Sequence, residues 1–332
     1  MSVCSYVKKY CYNLASHNCV AELSRGLLCA LCVSVGLMLN ACFTGVESTP
    51  KITQKEVKRQ NVHDTREQHI LDDVKMQPAG NWKTGKKFYV SDNRISRVAF
   101  RVEPFSMSDS LAGKTVALAS VDTVPTLTDR QEIQLKFVTD NNTAEFDVRT
   151  GLTPDQWNAC GPYNIPHLID LDFVNQVKEK LVGNTYYVLP SRRLGQDGRD
   201  TLGTRYQKVV VQDVLPESES LPLKVIFSDD EGHLASLLMT FGDVTTSRRN
   251  FETLFSLTNP RTRYKQITDK NWEMIQHSKI ALGMTPDECR LALGSPDTYN
   301  QIPTTAGMVE RWTYTNGVYL IFEDGLLSAF RQ

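Results

Sequence analysis

From Trp82 to about Thr240 the apolar residues recur mainly at every second position, the period of a strand with one buried face. Ile133, Leu135 and Phe137 alternate with polar residues, Asp140-Asn-Asn142 supplies turn chemistry, and Phe146 and Val148 resume the alternation, which predicts a hairpin. Leu223, Val225 and Phe227, then Asp229-Asp-Glu-Gly232, then Leu237 and Met239 predict a second. Between them Leu168, Leu171, Val174, Val177 and Leu181 change to helical spacing up to Gly183, predicting one amphipathic helix packed on the sheet. After Gly242 the pattern turns helical. Phe251, Leu254 and Phe255 form one face, ended by Asn259-Pro260, and Trp272 and Ile275 belong to a short helix that Asp269 would cap.

The two hairpins have similar openings. Leu111-Ala-Gly-Lys-Thr115 precedes the first and Leu181-Val-Gly-Asn-Thr185 the second, with a weaker echo at Gly85-Lys-Lys-Phe-Tyr-Val90. This suggests an internally duplicated β unit. The second copy would then carry about twenty extra residues, assigned to the Gly- and charge-rich stretch from Arg192 to Tyr206, with spacing as the only guide.

The last sixty residues carry the densest local signals. In Gly283-Met-Thr-Pro-Asp-Glu-Cys-Arg-Leu-Ala-Leu-Gly-Ser-Pro296, Thr285 suits the N-cap, Pro286 the first helical position and Glu288 the third, where its carboxylate reaches back to the cap N–H. Met284 and Cys289 can close a hydrophobic staple, and Gly294 with Pro296 ends the helix. A helix so short needs its caps and a sheet to lie on. Three strands follow: Glu310–Tyr314, Val318–Phe322 and Leu326–Phe330, joined by Asn316-Gly317 and Asp324-Gly325 turns. Trp312, Tyr314, Leu320, Phe322 and Leu326 are expected on one face. The overall expectation is an α+β chain, with a β-rich antiparallel region at 81–242 and helices leading into a two-helix, three-stranded module at 243–332.

The N-terminal part reads differently. Lys8, Lys9 and Arg25 precede the small and apolar run Gly26–Leu39, followed by Asn40, Ala41 and Cys42. Basic segment, apolar segment and small residue are the parts of a secretory signal, and the run falls short of the roughly 20 residues of a spanning helix. Residues 1–41 are therefore expected to be a signal peptide, and Leu39-Asn40-Ala41-Cys42 resembles a bacterial lipobox, which makes Cys42 the lipid-attachment residue. Phe43 follows, in place of the aspartate that favours inner-membrane retention, and no acidic run follows the cysteine. The resemblance thus implies the periplasmic face of the outer membrane. Residues 42–80 are polar and are expected to form a tether. Cys160 and Cys289 would be the thiols left in the mature chain; an oxidising envelope would permit a bridge, and small buried hydrophobes are the other assignment.

The module at 270–332 also carries a resemblance. Gly283-Met284-Thr285, Glu288, Leu293-Gly294-x-Pro296, Trp312-x-Tyr314, Phe322 and Gly325-x-Leu327 are similar to the SmpA/OmlA family, small lipoproteins that accompany the outer-membrane β-barrel assembly machine. That resemblance implies two short helices on a three-stranded antiparallel sheet, like one repeat of the β-lactamase-inhibitor-protein architecture, and an envelope protein partner. Gly151-Leu-Thr-Pro-Asp-Gln-Trp157 repeats the helix opening without the strands that follow it, so the cap alone reports a helix start.

Composition narrows the chemistry. Among 332 residues, with a formal charge of −1, no Lys/Arg cluster has interleaved aromatics, so nucleic acid is not an expected partner. No phosphate-binding loop, nucleophile elbow, His-Glu-x-x-His or Cys-x-x-Cys of the mature chain suggests catalysis, and no cofactor is expected. His63 and His69 lie on different faces of a helix, a poor basis for a metal site. Asp229, Asp230 and Glu231 sit where a hairpin turns. Arg192-Arg193 and Asp197–Asp200 read as an exposed loop, and the 192–206 segment is where an alternative role as an envelope glycan-binding protein or hydrolase would reside.

Overall fold

The computed structural model describes residues 70–102, 111–139, 145–240, 249–304 and 307–331, all within one compact unit, Asp64–Gln332. The expected signal peptide, Cys42, most of the expected tether, both its histidines and the Asp140–Asn142 turn lie outside the described residues. The fold is α+β, and every strand pairing among the described residues is antiparallel.

The first sheet contains β1 (Lys87–Val90), β2 (Ala99–Val102), β3 (Thr115–Pro125), β4 (Gln131–Thr139), β5 (Glu145–Arg149) and β6 (Leu168–Asp170), in the order β2-β5-β4-β3-β1-β6. The second contains β7 (Thr185–Val188), β8 (Arg192–Leu194), β9 (Asp200–Leu202), β10 (Gln207–Pro216), β11 (Leu223–Ser228), β12 (Leu234–Met239) and β13 (Phe255–Ser256). Its order, β9-β8-β12-β11-β10-β7-β13, repeats the first strand for strand and, among the described residues, has β9 in addition at one edge. Short helices occupy the same place in the connections: α1 (Pro154–Ala159) precedes β6, and α3 (Phe251–Leu254) precedes β13; α2 (Leu171–Leu181) joins the two copies.

The duplication extends to single hydrogen bonds. Val90 pairs with Leu168 in one copy and Val188 with Phe255 in the other. Leu118 faces Phe137 just before a bulge, and Val211 faces Phe227 just before the equivalent bulge. The Gly85 N–H donates to the Leu118 carbonyl at 2.8 Å, and the Gly183 N–H to Val211 at 2.9 Å. The duplicated units therefore run in a different register from the one their glycine openings suggest. Leu181–Thr185 corresponds to Lys83–Lys87, and the counterpart of Gly113 is Tyr206: both have positive φ, 82° and 58°, and their N–H groups donate to Val90 and Val188. Arg192–Tyr206 is accordingly no insertion, since β8 in it is the counterpart of β2.

Each copy has its own core. Phe88, Val116, Leu118, Leu135, Phe137, Phe146 and Val148 fill the first, closed by Trp82 and Trp157, whose rings meet edge-on at 5.4 Å. The second lies under α2, whose Phe173, Val174, Val177 and Leu181 are all buried. Each such side chain contributes on the order of 1.5–3 kcal/mol. Leu168, expected in this helix, belongs instead to β6, because Asp170 caps the helix by accepting from the Asp172 N–H. Leu71 and Val74, inside the segment expected to be tether, are buried in this second core.

The C-terminal module consists of α4 (Asp269–Gln276), α5 (Pro286–Leu293) and a meander of β14 (Thr298–Thr304), β15 (Gly307–Thr313), β16 (Tyr319–Glu323) and β17 (Leu326–Arg331). The sheet has four strands rather than the three expected. β14 is polar, contains Pro303 and is exposed along both faces, so it carries no buried alternation to reveal it; an edge tolerates the proline. Two further corrections are local. Thr268, not Asp269, caps α4, and Leu327, not Leu326, enters the core, because a register shift at Ile321/Phe322 places Leu327 opposite Phe322. Phe255 likewise leaves the expected helix for β13. α5 has the expected box: Thr285 accepts from the Glu288 N–H, and Glu288 from the Thr285 N–H at 2.8 Å. Met284 and Cys289 are buried in one cluster with Trp272, Trp312 and Phe322.

Candidate functional sites: a polar cleft and the C-terminal sheet

The β8–β9 hairpin forms one edge of the second copy's sheet. The hairpin turns through Gly195–Arg199, where the Gly195 N–H donates to the Arg199 carbonyl at 2.8 Å, and β8 joins the sheet by pairing Leu194 with Ser236. This places the hairpin beside the Asp229–His233 turn. Between them lies a cleft of about 460 Å³ lined by Arg193, Thr201, Leu202, Gln207, Phe227, Glu231, His233 and Ala235 among others.

Arg193 forms its floor. Expected on an exposed loop, it is 7% exposed, because strand pairing turns its side chain onto the core face. Its Nη1 donates to Gln207 Oε1 at 3.0 Å, its Nη2 to the Thr204 carbonyl at 2.6 Å, and its guanidinium lies 5.8 Å over the Phe227 ring. Burial pushes its pKa down, and the negative charge of Asp229 opposes this. A Cβ on Gly203 would stand 2.1 Å from the guanidinium carbon, so only glycine allows the charge to lie against this backbone.

Asp229 organises the facing wall. Its Oδ1 accepts from the Glu231 and His233 N–H groups at 3.0 and 2.9 Å, and its Oδ2 from Gln207 Nε2 at 3.2 Å, with His233 Nδ1 at 3.3 Å. Burial alone would raise its pKa, and the combined backbone and His233 bonds outweigh that and lower it. Asp229 is therefore an ionised turn-capping group with its acceptor sites engaged. Glu231 and His233 stand at the rim, 80% and 72% exposed in their side chains and 3.4 Å apart. The sequence marked both halves, the 192–206 loop and the 229–231 acids, but not that β8 brings them together. Arg205 and Tyr206, from the same expected loop, are structural: the Arg205 Nη1 donates to the Ala292 carbonyl at 3.2 Å and the Tyr206 hydroxyl to Leu291 at 2.9 Å, tying α5 to the second copy.

The second candidate is the C-terminal sheet. Tyr299, Ile302 and Met308, on β14 and β15, and Leu326, on β17 at the opposite edge, are between 48% and 63% exposed. Inside, the Trp312 indole donates to Glu310, and the Tyr314 hydroxyl to the Gly294 carbonyl at 3.1 Å. Cys160 and Cys289 are both free thiols and lie in different cores. No group of His, Cys, Asp or Glu that could hold a metal occurs among the described residues. No helix among them is long and apolar enough to cross a membrane.

Compared with protein-family models, with curated proteins and with solved structures, the chain has no match.

Proposed function

We propose that this chain is a non-enzymatic lipoprotein, anchored through Cys42 at the periplasmic face of the outer membrane, whose duplicated sheets and SmpA/OmlA-like C-terminal module serve protein interaction or envelope assembly. The observation that carries the interaction is the β14 edge of the C-terminal sheet, where three large apolar side chains, Tyr299, Ile302 and Met308, stay about half exposed or more on the outermost two strands. An unpaired sheet edge that carries exposed apolar side chains is a template for a further strand. The leader and lipobox of residues 26–42 supply the anchoring part.

Two measurements test it. Cys42→Ala should abolish lipid labelling and release the protein from the membrane fraction; a variant that stays in membranes with undiminished labelling ends the anchoring claim. A photo-crosslinker at Ile302 should capture envelope proteins in living cells, whereas one at Leu127, exposed at the tip of the β3–β4 hairpin, should not. Equal capture from both positions would remove the assignment to this sheet.

The second reading, a glycan-binding protein or hydrolase, is favoured by one observation, the polar cleft beside the 192–206 segment. Catalysis there lacks support from Asp229, whose oxygens are engaged by the turn. Release of reducing ends from envelope polysaccharide, lost in Glu231→Gln, would favour it over the interaction role.

A further inference from the structure

The two copies allow a comparison at single positions. Phe137 faces Phe146 across β4 and β5, and Phe227 faces Ala235 across β11 and β12, so Ala235 holds the position of Phe146. In the first copy the two rings stack at 5.2 Å and both are buried. In the second copy one ring is missing. Ala99, opposite Val148, has Arg193 as its counterpart, one residue before the Leu194–Ser236 pair. Where the first copy stacks Phe146 on Phe137, the second has a clamped guanidinium over Phe227 and a cleft of about 460 Å³, lined by Phe227 and Ala235. Ligand pockets run to roughly 300–1,000 Å³.

We infer that this cleft binds an extended peptide segment, inserting one bulky apolar side chain beside Ala235, above the Arg193 guanidinium that covers Phe227, with a basic residue next to it. Three features point to a peptide. β9 is the last strand of its sheet, its Asp200, Thr201 and Leu202 are all exposed, and Thr201 and Leu202 line the cleft, so an extended chain lying in it runs beside strand backbone. Leu202 and Leu234, at 77% and 38% exposure, extend the apolar lining outward. The accessible charge on the wall is acidic, since Glu231 is exposed while Arg193 is buried beneath. A sugar would want an aromatic face to stack on, and Phe227, the ring lining the cleft, is 1% exposed and covered by Arg193.

The proposal does not depend on Cys42 or on the C-terminal sheet, and its test leaves both untouched. The isotope-labelled full chain is titrated to millimolar concentration with the blocked peptide acetyl-Lys-Thr-Phe-Lys-amide, with the same peptide carrying Ala for Phe, with one carrying Glu for both Lys, and with an N-acetylglucosamine tetramer. The expected result is amide shifts at β9 and the Asp229–His233 turn with the first peptide, and binding at least about tenfold weaker with either altered peptide. Ala235→Phe should remove binding. Glu231→Lys, at an exposed position that the fold does not depend on, should weaken it while leaving the melting temperature unchanged. No shift at the cleft with the first peptide, binding of the tetramer in its place, or unchanged affinity in Glu231→Lys would each overturn the proposal.

Discussion

Lys86 Nζ lies 2.8 Å from the Asp170 carboxylate, with both side chains under a tenth exposed. Asp172 approaches the same ammonium at 2.7 Å from the solvent side, and the rings of Trp82 and Phe88 lie within 5.8 Å of it. Asp170 also caps α2. The pair thus sits where the last strand of the first copy becomes the first helix of the second. Asp170→Ala leaves the buried ammonium with Asp172 alone and strips α2 of its cap, so it should cost about 2–3 kcal/mol in chemical denaturation. Lys86→Met added to it should recover part of that loss, and a double variant less stable than either single one would show that the pair itself is not the cause.

Gly85 and Gly183 have φ of 90° and 80° and open space where a Cβ would stand. Alanine at either should cost about 1–2 kcal/mol through backbone strain alone. Since both donate the same hydrogen bond to equivalent residues, the two losses should be similar. A cost at one and none at the other, measured by urea unfolding, would break the equivalence of the copies at this turn.

The capping box of α5 carries more than the box of α1. Glu288 is 7% exposed, and besides the Thr285 N–H it accepts from Asn271 Nδ2 at 2.8 Å, joining the two helices of the module. Thr285→Ala should lower stability by about 1 kcal/mol. Glu288→Ala should lower it further, because the Thr285 N–H and Asn271 Nδ2, both part-buried donors, lose their acceptor. Glu288→Gln should retain most of the stability, as Gln156 fills the same place in α1. Equal losses for Gln and Ala would point to the charge rather than the hydrogen bonds.

Burial, reinforced by the adjacent Glu288, pushes the Cys289 thiol up to about 12, and burial beside Cys289 pushes Tyr314 up to about 12. Both groups hold their protons more tightly in the folded chain than in the unfolded one, where the values are near 9.0 and 10.0. The folded state then binds more protons between these limits, so stability falls as pH rises from about 9 to 12. Melting curves over that range should show the decline, and Cys289→Ala should flatten its lower part. Peptide-resolved alkylation at pH 8 should modify Cys160 well before Cys289, which is fully buried.

What was legible in the sequence depended on how strictly burial alternates. The β4–β5 and β11–β12 pairs were readable because Ile133-x-Leu-x-Phe137 and Leu223-x-Val-x-Phe227 place every second residue in a core. The α5 box was readable because Thr, Pro and Glu at those positions have one common use. The duplication was visible but misaligned, since a glycine before a strand occurs in several turns, and the counterpart of Gly113 is Tyr206, whose left-handed backbone no residue type announces. β14 escaped because both its faces are exposed. The cleft escaped because its halves lie far apart in sequence, and only the pairing of β8 with β12 unites them.

A chain with two interchangeable edges must avoid mispairing with itself. β6 adds to β1, and β7 presents to β13 the same edge in the same register, so during folding β6 meets two acceptors of nearly equal backbone geometry. Strand exchange of this kind is a known failure of repeat proteins. In the wrong pairing Asp170 would stand opposite Tyr186, the counterpart of Phe88, with Asn184 in the place of Lys86, and its carboxylate would be buried without a cation. The Lys86–Asp170 contact therefore works as an address label, readable in the correct half alone.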